Sequence, residues 1–259
     1  MTLSRVQRDA LARQDAPFLA APLRPADPRS FEAHVRQAAR LLRDRQTSAS
    51  PSARAVRHVV ELFERSVPES ARAQLACASG CAFCCYQPVR VTAAEAFFLA
   101  GQVRARPETE AAVRAAADTL SDRRADAPKV AWLRCPLLDA DNGCSAYAAR
   151  PLNCHAYVSV NVEDCKAVEA GAVVMEPAPY KTIKEGARVM LQAALRANGL
   201  PDTSYELNTA LRAVLDTDHA EKRWLRGEDI FAQVPQVSPN NAQAEKLIAW
   251  VAANIAPTL

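Results

Sequence analysis

Residues 77–85 read Cys77-Ala78-Ser79-Gly80-Cys81-Ala82-Phe83-Cys84-Cys85. Gaps of three and then two residues let one tight loop fold its sulfurs around a single metal centre. Gly80 can supply the unusual backbone angle such a loop needs. Thiolates bind zinc in tetrahedral sites or iron in iron–sulfur clusters. Cys84 and Cys85 are neighbours whose side chains are expected to diverge, so they should serve different sites or leave one thiol free. A loop of this kind is irregular, and the scaffold that holds it must come from its flanks.

All eight cysteines of the chain lie between Cys77 and Cys165. The second group, Cys135, Cys144, Cys154 and Cys165, has gaps of eight, nine and ten residues and forms no local knuckle. The chain must return four times to one place, so this segment is expected to order only with metal. Four plus four thiols could complete two four-ligand sites, or one site plus reactive thiols. Eight small buried hydrophobes would be the bland alternative, but four cysteines within nine residues argue against it. Clustered cysteines in a cytosolic chain point to metal or redox chemistry rather than to disulfides.

The flanks carry helical periodicity. Ser30 offers an N-cap to a helix over Phe31–Gln46 with Phe31, Val35, Ala38, Ala39 and Leu42 on one face. Ser50-Pro51 starts a second, ending near Ser66 before Pro68. Val89-Arg90-Val91 alternates like a short strand, and Thr92-Ala93-Ala94-Glu95 has the spacing of a capping box opening a helix through Val103. Another helix starts near Pro107 and carries Val113 and Leu120. Residues 133–165 are loop-like, with Pro136, Asp141-Asn142-Gly143 and Pro151 among the last four cysteines. Helices then follow over Lys181–Asn198, stopped by Gly199 and Pro201, and over Tyr205–Thr217. A last one opens at Ser238-Pro239, with Leu247, Ile248, Val251 and Ile255 inward. The fold class is mainly α: helices packed around an irregular cysteine-rich metal-binding centre with at most a short strand. Four stretches follow: an extended arm (1–29), N-terminal helices (30–76), the cysteine region (77–167) and C-terminal helices (168–259), with 30–259 expected to form one compact domain.

Composition agrees. With 49% hydrophobic residues in 259, a sizeable core can form, and 7 glycines are too few for a turn-rich β sandwich or a large α/β barrel. No apolar run reaches membrane-spanning length and no secretory signal is evident, so a cytoplasmic location is expected. The net charge of +3 is uneven: residues 1–72 carry 13 Arg against 8 acids. A basic N-terminal third could meet phosphate or an acidic peptide, but it lacks the aromatic interleaving of nucleic-acid binders.

Five ordered elements resemble the YkgJ-type cysteine-cluster family: Cys77-x3-Cys81-x2-Cys84-Cys85, Cys135-Pro136-Leu137-Leu138-Asp139, Cys144-Ser145-Ala146-Tyr147, Arg150-Pro151-Leu152-Asn153-Cys154 and Cys165-Lys166-Ala167. The resemblance covers about residues 77–167 and implies a zinc- or iron-chelating domain. His155 departs from it, standing where the family usually has Arg; it is expected to be an ordinary loop residue, with a nitrogen ligand as the alternative. Asp139 and Asp141 are expected to serve a turn, and Tyr147 and Tyr157 to pack. The metal-ligand candidates are therefore Cys77, Cys81, Cys84, Cys85, Cys135, Cys144, Cys154 and Cys165.

Three functions fit. The leading one is a metal-binding protein holding an iron–sulfur centre, or zinc. The second is an iron–sulfur-dependent oxidoreductase or methyl-transferring enzyme acting on a peptide or protein, since the flagellin lysine methylases resemble the same family. Only under that alternative does S-adenosylmethionine enter, because the three-then-two spacing is shared with radical-SAM loops. The third is a zinc-stapled adaptor whose helices bind a partner. No catalytic triad or phosphate-binding glycine loop supports another enzyme class.

Overall fold

The computed structural model describes residues 28–121, 133–168, 176–237 and 242–259. Eleven α-helices and a two-stranded ribbon are seen among the described residues. Helix α1 (Pro28–Arg43) buries Val35, Ala38, Ala39 and Leu42 against α2 (Pro51–Ser66), which presents Ala55, Val56, Val59 and Phe63. The Ser50 hydroxyl caps α2 by accepting from Ala53 N at 3.0 Å. Helix α1 departs from expectation at both ends. It begins at Pro28, a residue suited to the first helical position, so Ser30 lies inside the helix and is not its cap. It stops at Arg43, because the Asp44 carboxylate accepts from Gln46 N (2.9 Å) and turns the chain.

A short helix α3 (Glu69–Arg72) leads to the first cysteine loop. Strand β1 (Arg90–Thr92) then feeds α4 (Ala93–Val103) through a complete capping box of Thr92 and Glu95. After α5 (Pro107–Ser121) come two five-residue helices, α6 (Leu152–Ala156) and α7 (Val162–Lys166), in the segment expected to be loop-like. Helix α8 (Ala178–Ala197) packs on α1, α2 and α6 and is stopped by Gly199 at φ +68°. Tyr205, expected in a helix, lies instead in strand β2 (Ser204–Glu206), antiparallel to β1 with Val91 opposite Tyr205. The Glu206 carboxylate accepts from Thr209 N (2.9 Å), so the helix α9 (Leu207–Leu215) starts one residue after it.

Helices α10 (Ala220–Trp224) and α11 (Ala242–Ile255) complete the described chain; Ile248, Val251 and Ile255 are buried, and α11 rests on α8. The expected start at Ser238-Pro239, and most of the N-terminal arm, lie outside the described residues. One hydrophobic core runs from Val35 to Ile255, and Cys135 and Cys144 pack on its edge. Cys165 sits in a second, smaller cluster with Val168 under Phe83, Tyr86 and Tyr157. No described helix is long and apolar enough to cross a membrane.

Candidate metal centre

Gly80 adopts φ +79°, the left-handed angle anticipated for it, and Cys81 N closes a turn on Ala78 O at 3.1 Å. Phe83–Tyr86 then form a single 3-10 turn, with Cys85 N bonded to Ala82 O (2.9 Å) and Gln87 N to Cys84 O (3.1 Å). The turn is tight enough to bring the Cys84 and Cys85 side chains into contact. Neighbouring side chains in such a turn stand about a third of a revolution apart, less than the opposed directions of an extended chain.

One flank of the turn meets α7. Asn161 caps that helix (Glu163 N to Oδ1, 3.0 Å), and its Cys165 is buried beneath Phe83 and Tyr86. The Ser159 carbonyl accepts from Ala76 N at 2.9 Å and lies 4.0 Å from the Cys77 sulfur, tying the exposed Cys77 to the α7 approach.

The other flank meets the Cys135 loop, where Cys135 N donates to Cys85 O at 2.7 Å. The loop doubles back through a bridge between Leu138 and Cys144. Asp139 organises the turn: its Oδ1 accepts from Asp141 N (3.0 Å) and Gly143 N (2.7 Å), and Asn142 takes φ +60°. A Cβ on Gly143 would fall 2.7 Å from the Asp139 carboxylate, so any larger residue there must displace that side chain. Arg106 anchors the far side by donating to Ser145 O. The Cys154 helix is fixed at its start by buried Glu95, whose Oε2 accepts from Thr92 N (2.8 Å) and whose Oε1 accepts from Leu152 N (2.9 Å).

Electrostatics group the sulfurs in the same way. Burial, and then the charges of Cys77, Cys81 and Cys84, push the Cys165 thiol up, against a hydrogen bond with Ser159. Burial also raises Cys77, with Cys81 and Cys84 adding to it. Cys135 is pushed up to about 11 by burial and by Cys144 and Cys84; Cys154 rises well above the usual thiol range through burial, Cys135, Cys84 and Cys144. Cys84 belongs to both neighbourhoods, and contact with Cys85, followed by burial, drives its thiol far upward. Without a cation these sulfurs favour the neutral thiol; a bound metal reverses that preference and takes them as thiolates.

Thus Cys165 packs against Phe83 and Tyr86 of the 3-10 turn that carries Cys84 and Cys85, and Cys135 is bonded to the same turn through its backbone at Cys85. All eight thiols are free. Among the described residues no three His, Cys, Asp or Glu side chains converge closely enough to hold an ion.

His155 lies in α6 rather than in a loop and meets α2. Its Nδ1 lies 2.7 Å from Glu64 Oε1 on α2, and its ring also meets the Arg150 backbone. Burial and the Arg150 charge hold its pKa below the usual imidazole value despite Glu64. Part of the basic N-terminal third is internally paired: Arg36 with Glu32, Arg54 with Asp44 and Arg72 with Glu64. Two site residues went unassigned in the sequence. Glu95 was legible as a cap, while its bond to Leu152, 57 positions away, left no local signal. Arg150 was visible only as part of an Arg-Pro-x-x-Cys string.

Residues 76–173 match the model of the CxxCxxCC family, described as "Putative zinc- or iron-chelating domain". The match spans all eight cysteines, so the cysteine region is similar to that domain. No curated protein and no solved structure matches the chain.

Proposed function

We propose that this zinc- or iron-chelating region holds iron–sulfur chemistry in two neighbouring four-thiolate sites, one drawn from Cys77, Cys81, Cys84 and Cys165, the other from Cys85, Cys135, Cys144 and Cys154. The observation that carries the proposal is the seating of Cys165 against the 3-10 turn, beneath Phe83 and Tyr86, where it feels the charges of Cys77, Cys81 and Cys84. A local run of three cysteines completed by one distant in sequence is a plan of iron–sulfur ligation. Structural zinc sites more often pair two short knuckles, and only one Cys-x2-Cys pair, Cys81 and Cys84, occurs here. Cys85 joins the second set through its backbone bond to Cys135.

An iron–sulfur centre, when bound, supplies one-electron transfer. The chain's own part is to bring the sulfurs together, shield Cys165 from water and hold Cys77 beside Ser159. A fourth thiol for the first loop leaves no open metal position, so the favoured role is holding the centre rather than reacting substrate on it. S-adenosylmethionine has no place in that arrangement.

The test is metal and acid-labile sulfide analysis of anaerobically purified protein. Iron and sulfide in comparable amounts, with brown colour, are expected. Cys165→Ala should lose the first site's share while keeping the second's. Stoichiometric zinc without sulfide would overturn the iron–sulfur assignment, and undiminished metal in Cys165→Ala would overturn the ligand division.

A further inference from the structure

The chain has four histidines, and two of them meet in helices that carry no cysteine. His34 of α1 and His58 of α2 face each other across the seam where these helices pack. Their ring centres stand 5.4 Å apart and the ring planes are tilted by 46°. Both residues are half-buried. The seam around them is closed by Val35 and Ala38 from α1 and by Ala55, Val59 and Phe63 from α2. The Nε2 atom of His58 is buried with no hydrogen-bond partner, and the ring also meets the His34 backbone.

A neutral imidazole has one bare nitrogen, and a bare Nε2 in this seat leaves only an acceptor unused. A proton there creates a charged donor with no acceptor to receive it. A further proton on His34 sets two cations against each other at close range. Burial, and then the neighbouring His34, hold His58 below the usual imidazole value; Glu61 opposes this and Arg65 adds to it. The remaining charged groups near the seam are engaged elsewhere. On α1, Glu32 is paired with Arg36. Helices α4 and α8 also pack on α2, but Glu95 of α4 is bonded to Thr92 and Leu152. On α8, Lys184 is paired with Glu176 and Arg188 with Glu185.

We propose that His34 and His58 form an acid-sensitive catch, which lets α1 and α2 close on each other at neutral pH and loosens their seam when the rings take up protons. Between the folded and unfolded pKa values of His58 the unfolded chain binds more protons. The catch is therefore fully closed above the ordinary imidazole value and is lost as pH falls through the lower folded one. No metal and no covalent step is involved, so this assignment is independent of the chelation reading.

The experiment follows hydrogen exchange of the full chain at about pH 7.5 and about pH 5, on either side of the ordinary histidine value, corrected for the intrinsic pH dependence of exchange. Wild type is compared with His58→Phe and His34→Gln at each pH, so that acid release of any metal is common to all three. In wild type, protection of α1 and α2 should fall about tenfold relative to α8 on acidification, the equivalent of one pKa unit. His58→Phe should keep that protection. His34→Gln should lessen the fall, and the His58 ring-proton signal, followed by NMR titration, should move to a higher midpoint. Equal protection of the wild-type seam at both pH values would overturn the catch, as would an undiminished fall in His58→Phe. A His58 midpoint that ignores His34→Gln would also overturn it, by showing that the two rings do not act on each other. Should His58→Phe fail to fold, the titration of His58 in wild type and in His34→Gln decides by itself.

Discussion

Glu95 illustrates how a single side chain ties scaffold to site. Its carboxylate caps α4 through Thr92 and, at 5% exposure, also receives Leu152 N at the start of the Cys154 helix. Removing it leaves two buried backbone donors without a partner, so Glu95→Ala should destabilise the fold by about 2–4 kcal/mol in urea titration. Burial outweighs these bonds and holds the folded carboxyl above its ordinary value. The folded state therefore binds more protons than the unfolded state between the two pKa values, and Glu95's contribution to stability falls as pH rises through that window. Glu95→Gln should flatten this part of the stability-versus-pH curve while keeping one of the two backbone acceptor contacts, because its amide nitrogen cannot accept; an unchanged slope would show that Glu95 does not titrate with folding.

At the scale of elements, the cysteine segment contrasts with its surroundings. Helices of five residues such as α6 and α7 are too short to stand by themselves in water, whereas the 20-residue α8 buries a full face against α1, α2 and α11. Coordination must then offset much of the ordering entropy of residues 133–165. Hydrogen exchange after metal removal should open residues 133–165 and leave Ala178–Ala197 protected; equal protection in both states would refute this. Within the same segment, Gly143→Ala meets the Asp139 carboxylate. It should loosen the turn by about 1–3 kcal/mol, the range for overpacking, and hasten metal loss to a chelator while the far-ultraviolet circular dichroism stays close to that of wild type.

Across the whole molecule, an aromatic group joins the ribbon to the helices: Phe97 of α4 meets Trp224 at 5.1 Å and Phe231 at 5.8 Å, and Tyr205 of β2 stacks on Phe231 at 4.8 Å. Trp224 is 1% exposed and its ring N–H has no partner among the described residues. Trp224→Ala should cost about 3–5 kcal/mol by leaving a cavity. Trp224→Phe should cost clearly less, since it keeps a ring and removes the orphaned N–H. Both variants should retain wild-type metal content at temperatures where they stay folded, because the aromatic group and the thiols occupy different parts of the core. Loss of metal in folded Trp224→Phe would contradict that separation.

Local chemistry was sufficient for much of this protein. Ser50-Pro51, the Thr92–Glu95 box and the Asn198-Gly199 stop are short-range signals, and each lies at a helix end in the structure. The left-handed angle of Gly80 in the loop of Cys77, Cys81 and Cys84 was likewise legible from its neighbours. Tyr205 was misread because an aromatic at helical spacing fits either period, and its pairing with Val91 crosses 114 positions. The neighbours of Cys165 and Cys135 were also beyond the linear pattern. Gaps of eight to ten residues allow many returns, and only packing under Phe83 and Tyr86 brings Cys165 to the first loop, while a backbone bond brings Cys135 to Cys85. Contacts within a turn are written in neighbouring residues. Contacts between segments depend on which buried faces close over one another, and only the folded chain decides that.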